Sequence, residues 1–215
     1  MTKKELGWIC AAELEKLYPD AVCSLDYEEE PWKLLIMARL SAQCTDARVN
    51  IVSKELFKKF PTLESVAESD LAELEEAVRP CGLYKTKAKS IKETAEILIR
   101  DFGGEVPSTM DELLSLPGVG RKIANLMLGD VFGQPNIVTD THCIRICGRL
   151  GFYPESEKNP AKIEKILDKC IEKPIQSDFC HRIVYFGRDI CTARSPKCGE
   201  CPMKSFCKSF CKKQK

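Results

Sequence analysis

The chain has 215 residues, of which 44% are hydrophobic and 30% charged, and its formal net charge is +1. That length and balance describe a soluble globular protein with one domain or two small ones, and exclude a disordered or fibrous chain. Bulk charge announces no polyanionic partner, so any such partner must be held by positive charges gathered on one face.

Residues 1 to 23 read as a helix with a partial apolar stripe of Cys10, Leu14, Leu17 and Tyr18, ended by Pro19-Asp20. Met1 to Trp8 lacks the apolar core of a secretory signal, and the run Leu34 to Ala38 stops at Arg39, far short of a membrane span. A cytoplasmic protein without a membrane segment is expected. Pro31 to Gln43 predicts a buried helix with its proline in the first turn. Ser41-Ala42-Gln43-Cys44-Thr45-Asp46 follows, with Thr45 or Asp46 as N-cap of a helix running to about Phe60. Residues 63 to 78 predict one acidic helix on a stripe of Leu63, Val66, Leu71, Leu74 and Val78, broken by Arg79-Pro80-Cys81-Gly82.

Gly82-Leu83-Tyr84 then leads into a helix with Ile91, Ala95 and Leu98 on one side, and Lys85, Lys87 and Lys89 near its start. These lysines are expected on the surface, facing a polyanion. Ser108 or Thr109 caps a short helix that delivers the chain to Leu116-Pro117-Gly118-Val119-Gly120-Arg121-Lys122. Gly118 and Gly120 can take positive φ, so a tight hairpin is expected to bring backbone N–H groups together at the start of the next helix. Those amides and the helix dipole make a site for a phosphate oxygen. Val138-Thr139-Asp140-Thr141-His142 follows, with Asp140 placed to N-cap a helix from Thr141 to Leu150. Further helices are expected after Pro160, on Ile163, Ile166, Leu167, Cys170 and Ile171, and from Phe179 to Gly187. No strand is expected, and the fold class is all-α.

Thirteen cysteines are many for a cytosolic protein, and an odd number cannot form a closed set of disulfides. Cys10, Cys23, Cys44, Cys81, Cys143, Cys147, Cys170 and Cys180 are scattered and read as small buried apolar residues. Cys191, Cys198, Cys201 and Cys207 instead form C-x6-C-x2-C-x5-C in one short segment, a spacing for metal ligation. Spacing alone leaves a four-thiolate zinc and a [4Fe–4S] cluster both open. Cys211 stands outside the pattern. Taken singly, Lys122 reads equally as a solvated lysine, Asp140 as a cap, Gln43 as a polar helix terminus and Leu83 as a cover over a helix start.

Together these strings resemble the endonuclease III family of DNA-repair glycosylases. The resemblance rests on LPGVG-x-K, the DTH string, SAQ-x-TD, Gly82-Leu83-Tyr84 with Lys87-Ala88, and the cysteine spacing, and it spans essentially the whole chain. Cys44, where the family usually has threonine or a small residue, and Thr139, where it more often has valine, are departures. The resemblance implies two helical lobes, a six-helix domain with the helix-hairpin-helix (24–134) and an iron–sulfur domain (1–23 plus 135–215), with a DNA-binding cleft between them. It implies a bifunctional glycosylase and AP lyase acting on oxidised pyrimidines, with Lys122 as nucleophile and Asp140 as its carboxylate partner. It decides for a [4Fe–4S] cluster on the four cysteines. It implies DNA contacts from Gln43 and Leu83, both entering the base stack, from Gly118, Val119 and Gly120, and from Arg194. Double-stranded DNA with damaged bases or abasic sites is the implied partner, and a monomer, nucleoid-associated if bacterial, is expected. The alternatives are a mismatch-specific glycosylase on the same scaffold and a non-catalytic helix-hairpin-helix DNA-binding protein.

Overall fold

A computed structural model describes residues 1–213, with side chains to residue 211. The described residues form α-helices and short 3-10 turns, with no strand among them. The chain divides into two compact units, Ser24–Phe132 and a second made of Met1–Cys23 with Gly133–Lys215. None of the helices is long and apolar enough to cross a membrane, among the described residues.

The helix α1 (Lys3–Leu17) opens the chain, and α2 (Pro31–Leu40), α3 (Asp46–Lys59), α4 (Leu63–Ala67), α5 (Leu71–Val78), α6 (Tyr84–Phe102), α7 (Met110–Ser115) and α8 (Arg121–Asp130) build Ser24–Phe132. Helix α2 is apolar nearly all round and buries Leu34, Leu35, Ile36, Met37, Ala38 and Leu40. Full burial of each large side chain is worth about 1.5–3 kcal/mol relative to exposure, so α2 is a main source of this unit's stability. Helix α6 presents Ala88, Ile91, Ala95 and Leu98, all buried, and α4 and α5 pack on it.

The acidic segment is not one helix. It breaks between α4 and α5, where the Asp70 carboxylate accepts from the amides of Ala72 (2.8 Å) and Glu73 (3.2 Å). Lys92 reaches over from α6 and donates to the carbonyls of Ala67 and Ser69, which a continuous helix would have used internally. The stripe misled because Leu71, counted as inward, is 38% exposed.

The other unit packs α1 with α9 (Thr141–Leu150), α10 (Pro160–Leu167), α11 (Gln176–Asp189) and α12 (Lys208–Lys213). A capping box starts α1: Glu5 N–H donates to Thr2 Oγ1 (3.2 Å) and Thr2 N–H to Glu5 Oε2 (2.6 Å). Leu6, Cys10 and Leu14 of α1 join Ile146, Phe152, Ile163, Leu167, Phe179, Ile183 and Phe186 in one core. Gly7 sits so near the chain at Cys170 that a Cβ would lie 2.2 Å from the Cys170 carbonyl oxygen. Helix α10 ends at Leu167, earlier than its stripe suggests, and Ile171 reaches the core from a turn closed by its N–H on the Leu167 carbonyl (2.8 Å). Of the eight scattered cysteines, Cys10, Cys81, Cys143, Cys147 and Cys180 are buried, while Cys23, Cys44 and Cys170 are partly so. Helix α12 had no readable apolar period.

Candidate functional site

Helices α7 and α8 are joined by a hairpin from Leu116 to Gly120. Thr109 caps α7, its Oγ1 accepting from Glu112 N–H, and Val119 N–H closes the turn on the Leu116 carbonyl (3.1 Å). Leu116 and Val119 are buried at 2% and 7% exposure, so the hairpin is pinned by its own apolar side chains, and Val119, with its N–H used in the turn, holds the hairpin and does not meet a ligand with its side chain. Gly118 takes φ +75°, as expected, but Gly120 does not: it is extended at φ −102°. The two glycines therefore serve different needs. At Gly118 a Cβ would be strained and would meet the Arg39 side chain at 2.3 Å. At Gly120 a Cβ would meet nothing within 4 Å, so the fold itself does not demand glycine there.

Two further contacts hold the hairpin. Arg39 Nε donates to Ser90 Oγ (2.9 Å) beneath Gly118, and Thr94 Oγ1 donates to the Pro117 carbonyl (3.2 Å). Helix α8 starts at Arg121 behind Gly120, an N-cap with no side-chain oxygen to offer. Lys122, its second residue, is exposed.

Asp140 lies in the other unit and N-caps α9, its Oδ1 accepting from Cys143 N–H at 2.7 Å. The helix amides thus orient the carboxylate, leaving Oδ2 as its second oxygen. At the far end of α9, the Schellman-type bond from Phe152 N–H to the Cys147 carbonyl (3.0 Å) and Gly151 at φ +108° stop the helix.

Gln43 and Leu83 sit in two separate turns of Ser24–Phe132, and both have left-handed backbone, at φ +55° and +50°. Gln43 is exposed, and Leu83 is 55% exposed. For residues with a Cβ such backbone is uncommon, and for a bulky leucine it is an outlier that the surroundings must impose. Lys85 and Lys89 are on the surface, as expected, but Lys87 is not. Its side chain is fully buried, and its ammonium donates to the carbonyls of Leu40 (2.7 Å) and Cys81 (2.8 Å). It contacts protein backbone and cannot face a polyanion. The α6 period predicts this, since Lys87 precedes Ile91 and Leu98 by four and eleven positions on the same face.

Cys191, Cys198, Cys201 and Cys207 line one cavity of about 230 Å³, together with Ile146, Phe186 and Arg194. Arg194 is exposed at its edge, and Lys197 pairs with Asp189 (3.5 Å). None of the four cysteines is in a disulfide. Burial, and then the neighbouring cysteines, push the Cys201 and Cys207 thiols upward, so four thiolates need a cationic group among them. Among the described residues no three Cys, His, Asp or Glu side chains converge as ligands of a single ion. Four cysteines lining one cavity in a short segment suit a thiolate-ligated metal group, a polynuclear cluster among them.

The loop that carries them is tied to α9 by two arginines that sequence reasoning missed. Arg145 donates to the carbonyls of Cys191 (3.0 Å) and Gly187 (3.2 Å). Arg149 donates to the carbonyls of Thr192 and Ala193, both at 2.8 Å, and to Cys191 Sγ at 3.4 Å. The available signal was their spacing, one helical turn apart on the helix expected from Thr141 to Leu150.

Residues 36–173 match the family described as HhH-GPD superfamily base excision DNA repair protein, and residues 191–207 match the iron-sulfur binding domain of endonuclease III. Endonuclease III of Synechocystis sp. is 44% identical over 97% of this chain and 94% of its own length. That of Bacillus subtilis is 41% identical over 96% and 93%. A solved structure of a trapped endonuclease III-DNA covalent intermediate superposes with a TM-score of 0.93 at 43% identity, covering 100% of both chains. A thermostable thymine-DNA glycosylase, 22% identical, shares the fold with a TM-score of 0.88 over 97% of this chain and 98% of its own.

Proposed function

The chain belongs to the endonuclease III family within the HhH-GPD superfamily of base excision DNA repair proteins, and from that premise we propose that Lys122 and Asp140 carry its chemistry on oxidised pyrimidines in duplex DNA. It is a DNA glycosylase with AP lyase activity, and it carries a [4Fe–4S] cluster. The observation that supports our choice of residues is local. An exposed amine, Lys122, stands two residues after a glycine whose missing Cβ the fold does not require, on a helix whose N-cap, Gly120, supplies no side-chain oxygen. Backbone there is free to approach a phosphate closely, and the same segment supplies a nucleophile.

The steps follow from ordinary amine chemistry. A neutral Lys122 Nζ attacks the sugar C1′ of an extruded nucleoside, and the C1′–N bond breaks with its electron pair leaving on the base. Asp140, whose Oδ1 is engaged by the α9 amide, takes the ammonium proton and offers its charge to the sugar as positive charge develops there. The sugar ring opens to an imine on Lys122. Loss of a C2′ proton then drives β-elimination, the C3′–O bond breaks with its electrons on the 3′ phosphate, and water frees the lysine.

Cys191, Cys198, Cys201 and Cys207 are the ligands we assign to the cluster, which supplies cross-linking by iron–thiolate bonds in a segment with little apolar core. Around them Arg145 and Arg149 fix the loop, and Arg194 offers a cation for the DNA backbone. Gly118 and Gly120 contribute backbone amides, while Val119, its N–H bonded to the Leu116 carbonyl within the turn, anchors them with its buried side chain. Gln43 and Leu83 enter the base stack when the damaged nucleotide leaves it. We take the protein to act as a cytoplasmic monomer. The likeness to a thymine-DNA glycosylase is one of fold and favours no mismatch activity, and the presence of both Lys122 and Asp140 argues against a non-catalytic DNA-binding protein.

Borohydride trapping tests this reading. Wild type incubated with a duplex carrying thymine glycol or an abasic site should give a covalent adduct. Lys122→Gln should bind the same duplex and give none, with strand cleavage reduced on the order of a thousandfold or more. Adduct formation by the variant would refute the assignment.

A further inference from the structure

Lys87 is a buried lysine that the chemistry above does not use. Its partners are unusual in what they belong to. The Leu40 carbonyl ends α2 and opens the turn that presents Gln43, in which Cys44 N–H bonds to the Ser41 carbonyl (3.1 Å). The Cys81 carbonyl ends the 3-10 turn Arg79–Cys81, two residues before Leu83. One ammonium therefore holds both turns, at 2.7 and 2.8 Å. It makes no ion pair among the described residues, and burial lowers its pKa, so the fold keeps a cation here against its preference. Both turns carry a left-handed non-glycine residue, a backbone state that survives only where the structure on either side enforces it.

We propose that Lys87 is a positioning residue for base extrusion, fixing the spacing of the two turns so that Gln43 and Leu83 are presented together. The inference rests on the reading of those two residues as groups that enter the base stack. Lysine suits the task because an ammonium is a compact, donor-only centre that can point separate N–H bonds at two carbonyls. The benefit is preorganisation: two side chains that must enter the duplex in one event do not have to find their relative placement during it.

The test compares two substrates in one enzyme. Lys87→Met keeps most of the length and buried volume of the side chain and removes the donors. Under single-turnover conditions it should lower excision of thymine glycol about tenfold or more, while cleavage at a preformed abasic site, where extrusion is easier, changes by about twofold or less. Combined with Gln43→Ala and Leu83→Ala it should add little further loss, since the residues it positions are gone. Leu98→Ala, a core truncation on the same helix, controls for stability: it should lower Tm at least as much and leave the ratio of the two activities unchanged. Should Lys87→Met fail to fold, Lys87→Gln, which keeps one donor group, reads the same ratio.

The proposal is overturned if the lysine variant affects both substrates equally, or if its losses add in full to those of the double variant. If Gln43→Ala and Leu83→Ala themselves affect both substrates equally, it is the base-stack reading that fails. If they act selectively and the lysine variant does not, only Lys87 fails.

Discussion

Helices α8 and α9 are of equal length and begin in opposite ways. The start of α8 carries glycine, no side-chain oxygen and an exposed lysine one position in from Arg121, while α9 starts on a carboxylate already bonded to its own third amide. Seven of the helices, α1, α3, α4, α5, α7, α9 and α10, are closed by a Thr, Asp or Asn side chain, so the open end of α8 is a choice the chain does not usually make. The difference teaches what each end is for. On the proposed reading, a glycine start leaves no side-chain oxygen of its own where a phosphate would sit, and a carboxylate that acts on substrate is oriented by the amide of Cys143.

The comparison can be broken most severely at Asp140. Asn and Asp are nearly equivalent caps, so Asp140→Asn should leave Tm almost unchanged while base excision falls about 10²–10⁴-fold, the usual range for a positioned acid–base group. Single-turnover excision and a thermal melt on the same sample measure both. Excision at the wild-type rate would make Asp140 a cap only.

The next experiment turns one helix start into the other. Gly120→Asp gives α8 the cap that α9 has, at a position where the new Cβ meets nothing within 4 Å. Stability should rise by about a few tenths of a kcal/mol, the difference between glycine and aspartate as caps. Affinity for any duplex, damaged or not, should fall about tenfold or more, because a carboxylate now occupies the phosphate position. Gly120→Asn, without the charge, should weaken binding less. Unchanged binding by the aspartate variant would mean that the hairpin does not meet the backbone.

A smaller effect is expected at the far end of α9. Arg149→Met removes donors to two loop carbonyls and to Cys191 Sγ. Hydrogen bonds to cluster sulfurs raise the reduction potential, so the variant's cluster should be harder to reduce and should bleach faster in air. Its trapping yield per mole of intact cluster should match wild type. Visible absorbance and iron content follow the first, and borohydride adduct the second. Smallest of all should be Cys211→Ser, which alters neither, since this thiol is exposed and outside the cavity.

Much of the fold was legible because helix periods and caps are local. Thr45, Thr109 and Asp140 cap helices where the residue types say they should. The missed break at Asp70 shows the limit: an apolar stripe runs on through a cap when the two helices happen to share phase. The candidate site was legible where it depends on residue type, as in the turn at Gly118 and the cysteine spacing, while Gly120 proved extended. It was illegible where it depends on backbone that no residue type announces. Nothing in a glutamine or a leucine says φ will be positive, and although the α6 period turns Lys87 inward, nothing in that period says its ammonium binds two carbonyls. Arg145 and Arg149 escaped for a related reason: their acceptors are main-chain oxygens of a loop more than forty residues on.

The unit that contains α1 is assembled from both ends of the chain, with Gly7 fitted against Cys170. During synthesis α1 therefore leaves the ribosome well before the residues that bury it. Residues 24–132 have all their core partners once they emerge, whereas Leu6, Cys10 and Leu14 wait for Phe179, Ile183 and Phe186. At typical elongation rates that interval is about ten to forty seconds, long enough for an apolar helix face to need shielding by a chaperone or by the ribosome surface.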